Sequence, residues 1–186
     1  MSKAYDSVHI ATLEKALNRI KISDQITKIL LSILNNRTNT VITCHGNTEE
    51  YKVEDGIDQG DTISPILWRI FYNPLLSRIQ KIHTGYTITI KKYPDIRDGW
   101  KIQYHNIPTS TYMDDTTWIA NNKETLQEII DTAEEFYTLN NIQTNPKKSY
   151  LLIINGSIQD RSTGIKLQGQ QITGTEPDTA VRILEV

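Results

Sequence analysis

The chain has almost no cysteine: Cys44 is the only one among 186 residues. That excludes a disulfide framework and a cysteine-ligated metal cluster, and makes a reducing, intracellular setting the default expectation. Cys44 lies in the apolar stretch VITCHG, where a lone thiol is expected to fill core space rather than to react. Long apolar runs are also missing. None approaches the roughly 20 residues of a membrane-spanning helix, and the first residues lack the charged, apolar and cleavage regions of a signal peptide. There is no basic excess: 20 Lys and Arg against 22 Asp and Glu leave a net charge of −2, with a pI of about 6.1. An autonomous nucleic-acid binder is normally basic, so that class needs independent support from a site. Pairs such as Lys91-Lys92 and Lys147-Lys148 are ordinarily just solvated. Internal repeats, low-complexity tracts and linkers are absent too.

What is present suits one globular domain of ordinary size: 38% hydrophobic and 23% charged residues, with a mean hydropathy of −0.43. Ile10, Leu13, Leu17 and Ile20 predict a helix from about residue 9 to 20. A second helix is expected after a cap at Ser23 or Asp24, with Ile26, Ile29, Leu30, Ile33 and Leu34 forming a broad apolar face. TNTVITCHG and EEYKVEDG read as two short strands around a His45-Gly46-Asn47 turn. Ser64-Pro65 opens a long helix with Ile66, Ile70, Leu75 and Ile79 on its apolar face, which Pro74 is expected to kink or interrupt. GYTITIKKYPDIRDGWKIQYH predicts two strands joined by a turn-rich connection. TSTYMDDTTWIAN reads as a hairpin with the Asp pair at its tip. Asn121 and Glu124 have capping-box spacing before a helix marked by Leu126, Ile129, Ile130, Ala133, Phe136 and Tyr137. SYLLIIN reads as a buried strand, GIKLQGQQITG as a small hairpin and RILEV as strand-like. Helices and strands mix without regular βαβ alternation, which is an α+β layout with an antiparallel sheet packed on helices.

The most informative stretch is Tyr112-Met113-Asp114-Asp115. Adjacent carboxylates repel, and a fold tolerates them at an exposed turn or where a cation lies between them. An ordinary Asp-rich turn is the bland reading for any Asp pair. The whole tetrapeptide, however, arises by chance in on the order of one chain in a few thousand of this length, from average residue usage. Two carboxylates at a strand–turn junction also suit Mg²⁺, which takes one or two carboxylates plus substrate phosphates.

That tetrapeptide is similar to the catalytic box of reverse transcriptases, and further segments agree in order. SKAYDSV resembles the end of the preceding carboxylate motif of non-LTR retrotransposon enzymes, which runs roughly Asp-x-x-Lys-Ala-aromatic-Asp. GIDQGDTISP resembles the Gln-Gly…Ser-Pro motif, NNIQTNPKKS the Asn-x-x-Lys-Ser/Thr motif, and RILEV the segment leading out of the palm. Five collinear motifs cover nearly the whole chain, which is far more specific than any one of them. Asp61-Thr62 and Glu185 depart from the family pattern, in which a small residue with Pro and a Gly are usual.

The resemblance implies a polymerase palm over residues 1–186, truncated at both ends and without complete fingers or thumb. It implies two-metal nucleotidyl transfer with Mg²⁺, with Asp114 as principal ligand and Asp115 as its partner. By the same resemblance, Tyr5 is the aromatic that stacks under the sugar and leaves no room for a 2′-hydroxyl. Gln59 and Gly60 approach the incoming dNTP and template, Tyr112 and Met113 pack near the primer end, and Lys148 protonates the leaving pyrophosphate. RNA template and DNA primer are the implied partners, with weak nucleic-acid binding expected of this stretch alone, no membrane partner, and work in the nucleus. The family's first metal-binding aspartate would fall just before Met1, three residues ahead of the matching Lys3. The chain alone is therefore expected to hold an incomplete two-ion site and to be inactive. Asp6 takes a later place in that motif and is expected to cap the helix starting near His9. The alternatives are a non-catalytic retroelement remnant acting at most as a small binding protein, and a viral RNA-dependent RNA polymerase. Gln59-Gly60…Ser64-Pro65 and Met113 disfavour the latter, and accidental matching in a plain binding module is disfavoured by five motifs in order.

Overall fold

The computed structural model describes residues 4–92 and 101–181. A 3-10 turn at Tyr5–Ser7 leads into α1 (Ile10–Arg19), which is followed by α2 (Asp24–Asn35). The strands β1 (Thr38–Asn39), β2 (Ile42–Thr43), β3 (Gly46–Asn47) and β4 (Tyr51–Lys52) come next, then α3 (Ser64–Ile82). β5 (Tyr86–Lys92) and β6 (Lys101–Ile107) precede β7 (Thr109–Tyr112) and β8 (Asp115–Trp118). α4 (Lys123–Leu139), a 3-10 turn at Pro146–Lys148, α5 (Ile158–Thr163), β9 (Ile165–Leu167) and β10 (Gln170–Ile172) complete the described order. Mixed helices and antiparallel strands make the fold α+β. Among the described residues the strands form five separate two-stranded antiparallel ladders rather than one continuous sheet.

The chain divides into two compact units. Of the described residues, one holds 4–74 and 139–142; the other holds 75–92, 101–138 and 143–181. In the first unit, Val8, Leu13, Leu17, Leu67, Trp68, Phe71 and Tyr72 are buried. Each such side chain contributes roughly 1.5–3 kcal/mol through removal from water. Trp68 stacks on Tyr72 with ring centroids 5.3 Å apart and lies 5.7 Å from Phe71 and 5.9 Å from Tyr5. In the second unit, Ile130, Leu151 and Ile165 form a core against which Trp118, Leu126, Ile153, Leu167 and Ile172 pack. Ser23 caps α2 as expected, its hydroxyl accepting from the Ile26 amide at 3.4 Å. The β9–β10 hairpin turns at Gln168-Gly169, both with positive φ (46° and 74°), as a tight two-residue hairpin turn requires.

Several expectations change. Cys44 is exposed, because Cys44-His45 is the two-residue tip between Thr43 and Gly46 rather than part of a buried strand. Ile26, Ile29 and Ile33 of α2 are exposed, and only Thr27 and Leu34 are buried on that helix. On α3 the buried stripe is Leu67, Trp68, Phe71, Leu75 and Ile79, which leaves Ile66 outside. Pro74 sits within an uninterrupted α3; its ring removes one amide donor without ending the helix. The capping box at Asn121 and Glu124 does not form. Asn122 caps α4 instead, accepting from the Thr125 amide at 2.8 Å, while the Asn121 side chain donates to the Gly85 carbonyl. SYLLIIN is not a strand: Leu151 makes a single bridge to Gly174, and Ile154 is 86% exposed. The RILEV segment, Lys3 and the connection at 93–100 lie outside the described residues.

The start of β7 is fixed by close packing. A Cβ on Gly85 would meet Pro108 Cα at 2.2 Å and the Ile107 carbonyl oxygen at 2.3 Å. The Ile119 amide donates to the Pro108 carbonyl at 2.8 Å. Gly85→Ala is therefore expected to destabilise the protein by roughly 1–3 kcal/mol, the usual cost of overpacking. Thermal unfolding would reveal it, and an unchanged midpoint would refute the close approach.

Candidate active-site residues

The hairpin that carries the paired carboxylates is defined by its register. Thr109 pairs with Trp118, Ser110 with Thr117, Thr111 with Thr116 and Tyr112 with Asp115. Two residues, Met113 and Asp114, make the turn. Met113 has φ 52°; a non-glycine residue there costs roughly 1–2 kcal/mol, and such strain is held where the surrounding structure over-determines it. Strand alternation then sorts β8 into two faces. Thr116 and Trp118 are half-buried, with Trp118 packed on the Ile130–Leu151–Ile165 core, whereas Asp115 and Thr117 are exposed. Trp118 thus anchors the hairpin, and its alternation places the Asp115 carboxylate toward water. Asp114 is half-buried at the turn itself.

Two adjacent carboxylates offer hard oxygen donors and no nitrogen or sulfur, a donor set that fits Mg²⁺ completed by phosphate oxygens. Among the described residues no three His, Cys, Asp or Glu side chains gather as a metal cluster. By themselves two carboxylates do not make a self-sufficient cage for a cation. Tyr112 ends β7 and is exposed, as is Met113. Lys148 ends the 3-10 turn that Asn145 caps by accepting from the Lys147 amide at 3.2 Å, and it is exposed. The hairpin and Lys148 belong to the same compact unit.

Tyr5, Gln59 and Gly60 belong to the other unit, and a strap at residues 55–58 connects them. The Ile57 amide donates to the Tyr5 carbonyl at 3.0 Å and the Gly56 amide to the Val8 carbonyl at 2.9 Å. Gly56 has φ 87°, and a Cβ there would meet Asp6 Cα at 3.1 Å, so only glycine suits this approach. The Asp61 amide donates to the Asp58 carbonyl at 3.4 Å, which makes Gln59 and Gly60 the central residues of a β-turn. Gly60, with φ 97°, supplies the positive φ that the third position of a type II turn needs. Nothing stands within 4 Å of where its Cβ would be, so the space over the turn is open.

Asp6 does not cap α1. That role falls to Asp55, whose carboxylate accepts from the Ile10 amide at 3.2 Å and meets His9 Nδ1 at 2.9 Å. The strap residues escaped the sequence reading, along with Arg37, which grips them. The one local signal was the Asp55-Gly56 dipeptide, a turn marker; partners 45 residues apart leave no mark in local pattern.

A family model described as reverse transcriptase (RNA-dependent DNA polymerase) matches residues 1–173. The chain is similar to a retrovirus-related Pol polyprotein from type-1 retrotransposable element R2 of Popillia japonica, being 26% identical over 156 residues, 83% of this chain and 20% of that protein. A second polyprotein of the same description and organism is 24% identical over 87 residues, 47% of this chain and 14% of that protein. The chain spans a fifth or less of the length of these curated relatives.

Proposed function

The chain belongs to the reverse transcriptase (RNA-dependent DNA polymerase) family, as a domain of the non-LTR retrotransposon type, and from that premise we propose that residues 1–186 are the palm region of a polymerase that copies RNA template onto a DNA primer. The observation that carries this reading is the hairpin: a core-anchored β7–β8 pair whose two-residue turn presents Asp114 next to Asp115. Asp114 and Asp115 would hold magnesium through their carboxylate oxygens, and the ion would there supply charge stabilisation for the attacking 3′ oxygen and the leaving phosphates. Tyr112 and Met113, exposed beside them, contact the primer end. Lys148, exposed at the end of the 3-10 turn, donates a proton to the departing pyrophosphate.

In the other unit, the open turn at Gln59-Gly60 lets backbone approach the incoming dNTP, and Tyr5, half-buried against Trp68, supplies a rigid wall beside the sugar. Two carboxylates are too few to hold a pair of ions firmly. The 186-residue chain alone is thus proposed to bind Mg²⁺ weakly and to incorporate dNTPs negligibly. Among the described residues no helix is long and apolar enough to cross a membrane. The test is primer extension on an RNA template by the full-length protein carrying this chain, with dNTPs and Mg²⁺. Template-dependent extension is the expected result, and its absence from well-folded protein would overturn the reading.

A further inference from the structure

We infer that Arg37 is a positioning residue for nucleotide selection, a single guanidinium that sets both Tyr5 and the Gln59-Gly60 turn. The inference rests on the reading of those three residues as nucleotide-binding. Arg37 stands just beyond the end of α2, and its side chain is only 10% exposed. Every described bond of its guanidinium holds backbone or carboxylate of fixed elements. Nε donates to the Leu34 carbonyl at 3.0 Å, which ties the group to the α2 terminus. One terminal nitrogen donates to the Asp55 and Gly56 carbonyls at 3.2 and 2.6 Å. The other meets the Asp58 carboxylate at 2.7 Å.

These bonds span the strap from end to end. Upstream, Gly56 and Ile57 donate to the Val8 and Tyr5 carbonyls, so fixing the Gly56 carbonyl fixes the backbone that supports Tyr5. Downstream, Asp58 is the first residue of the turn whose central pair is Gln59-Gly60. Its carboxylate is half exposed, at 47%, and has no burial reason to point at α2. A planar fork with donors on three edges serves this geometry, and a lysine ammonium does not reproduce it. The turn and Tyr5 contact the nucleotide away from the reacting atoms, so a shift in them weakens ground-state and transition-state binding alike and raises KM rather than lowering kcat. An anchor of this kind therefore acts on substrate position without touching substrate.

The test uses Arg37→Gln, Arg37→Lys and the milder Asp58→Asn. In the full-length protein, steady-state extension with active-site titration should show the dNTP KM raised about tenfold in Arg37→Gln and about threefold in Asp58→Asn, with kcat per active enzyme kept within about twofold. Discrimination against ribonucleotides should fall in parallel, because Tyr5 and the turn share the strap. Arg37→Lys should restore neither. In the 186-residue chain, amide exchange at Gly56 and Ile57 should quicken at least about tenfold while the α4 amides stay unchanged. A purely structural role would lower the active fraction and leave KM and discrimination alone, and that result overturns the inference. So does an unchanged KM in Asp58→Asn should Arg37→Gln fail to fold. An inactive wild type overturns the inference together with the reading it rests on, whereas an active wild type with unaltered variants overturns the inference alone.

Discussion

Asp114→Asn, made in the full-length protein, is expected to cut templated dNTP incorporation by at least about a hundredfold, since loss of even a supporting partner of a metal ligand typically costs ten- to a hundredfold. The substitution keeps the shape of the side chain and one oxygen acceptor, and removes the charge that a hard divalent cation needs. Asparagine is at home in turns, so the hairpin should persist. Asp115→Asn should also lose activity. Asp115 is the first residue of β8 and is paired with Tyr112, so its backbone is held by the ladder whatever the side chain carries. Both variants should demand more Mg²⁺ for half-maximal rate in single-turnover extension. Wild-type rates in both would show that the hairpin is not the reacting centre. Loss of activity accompanied by a lower melting midpoint would point to a damaged fold, which is why the midpoint is measured alongside.

The sequence disclosed the family, through motifs in order along the chain, and the local periodicity of its elements. α1, α2 and α4 were legible because apolar spacing at 3.6 residues needs no knowledge of partners. The β7–β8 hairpin was legible because β-rich residues flank a polar tip. Burial was read less well, because it depends on what covers a face. The apolar stripe of α2 is open at Ile26, Ile29 and Ile33, and SYLLIIN leaves Ile154 in solvent. Composition alone would have buried both. Cys44 was misplaced for a related reason: an interruption after Asn39 divides the expected strand into β1 and β2 and moves the turn onto the thiol. At the candidate site, the carboxylates and Tyr5 could be picked out one by one. The strap could not, because its meaning lies in bonds between Arg37 and Asp58, 21 residues apart, and between Asp55 and the start of α1.

Trp68→Ala is expected to remove a large part of the margin that keeps the first unit folded. Trp68 is 2% exposed, and truncating a buried tryptophan to alanine costs about 3–5 kcal/mol, against a total stability of roughly 5–15 kcal/mol for a typical protein. Its rings join Tyr72, Phe71 and Tyr5, so the cavity would open directly beside Tyr5. Calorimetry or thermal unfolding should show a large fall in midpoint, and a shift equivalent to under 1 kcal/mol would contradict the packing. Tyr5→Ala separates the two consequences of that contact. Tyr5 is only half-buried, and its ring pairing with Trp68 is worth about 0.5–1.5 kcal/mol beyond area burial, so the fold should survive its loss. Selection should not survive it equally well: without the ring the space for a 2′-hydroxyl opens, and ribonucleotide incorporation in the full-length protein should rise. Unchanged discrimination in a folded Tyr5→Ala variant would make Tyr5 a packing residue and no more. If discrimination relaxes there, Trp68→Phe, which keeps an aromatic neighbour but leaves part of the indole volume empty, should relax it in smaller measure, because the wall beside the sugar is only as rigid as the ring behind it.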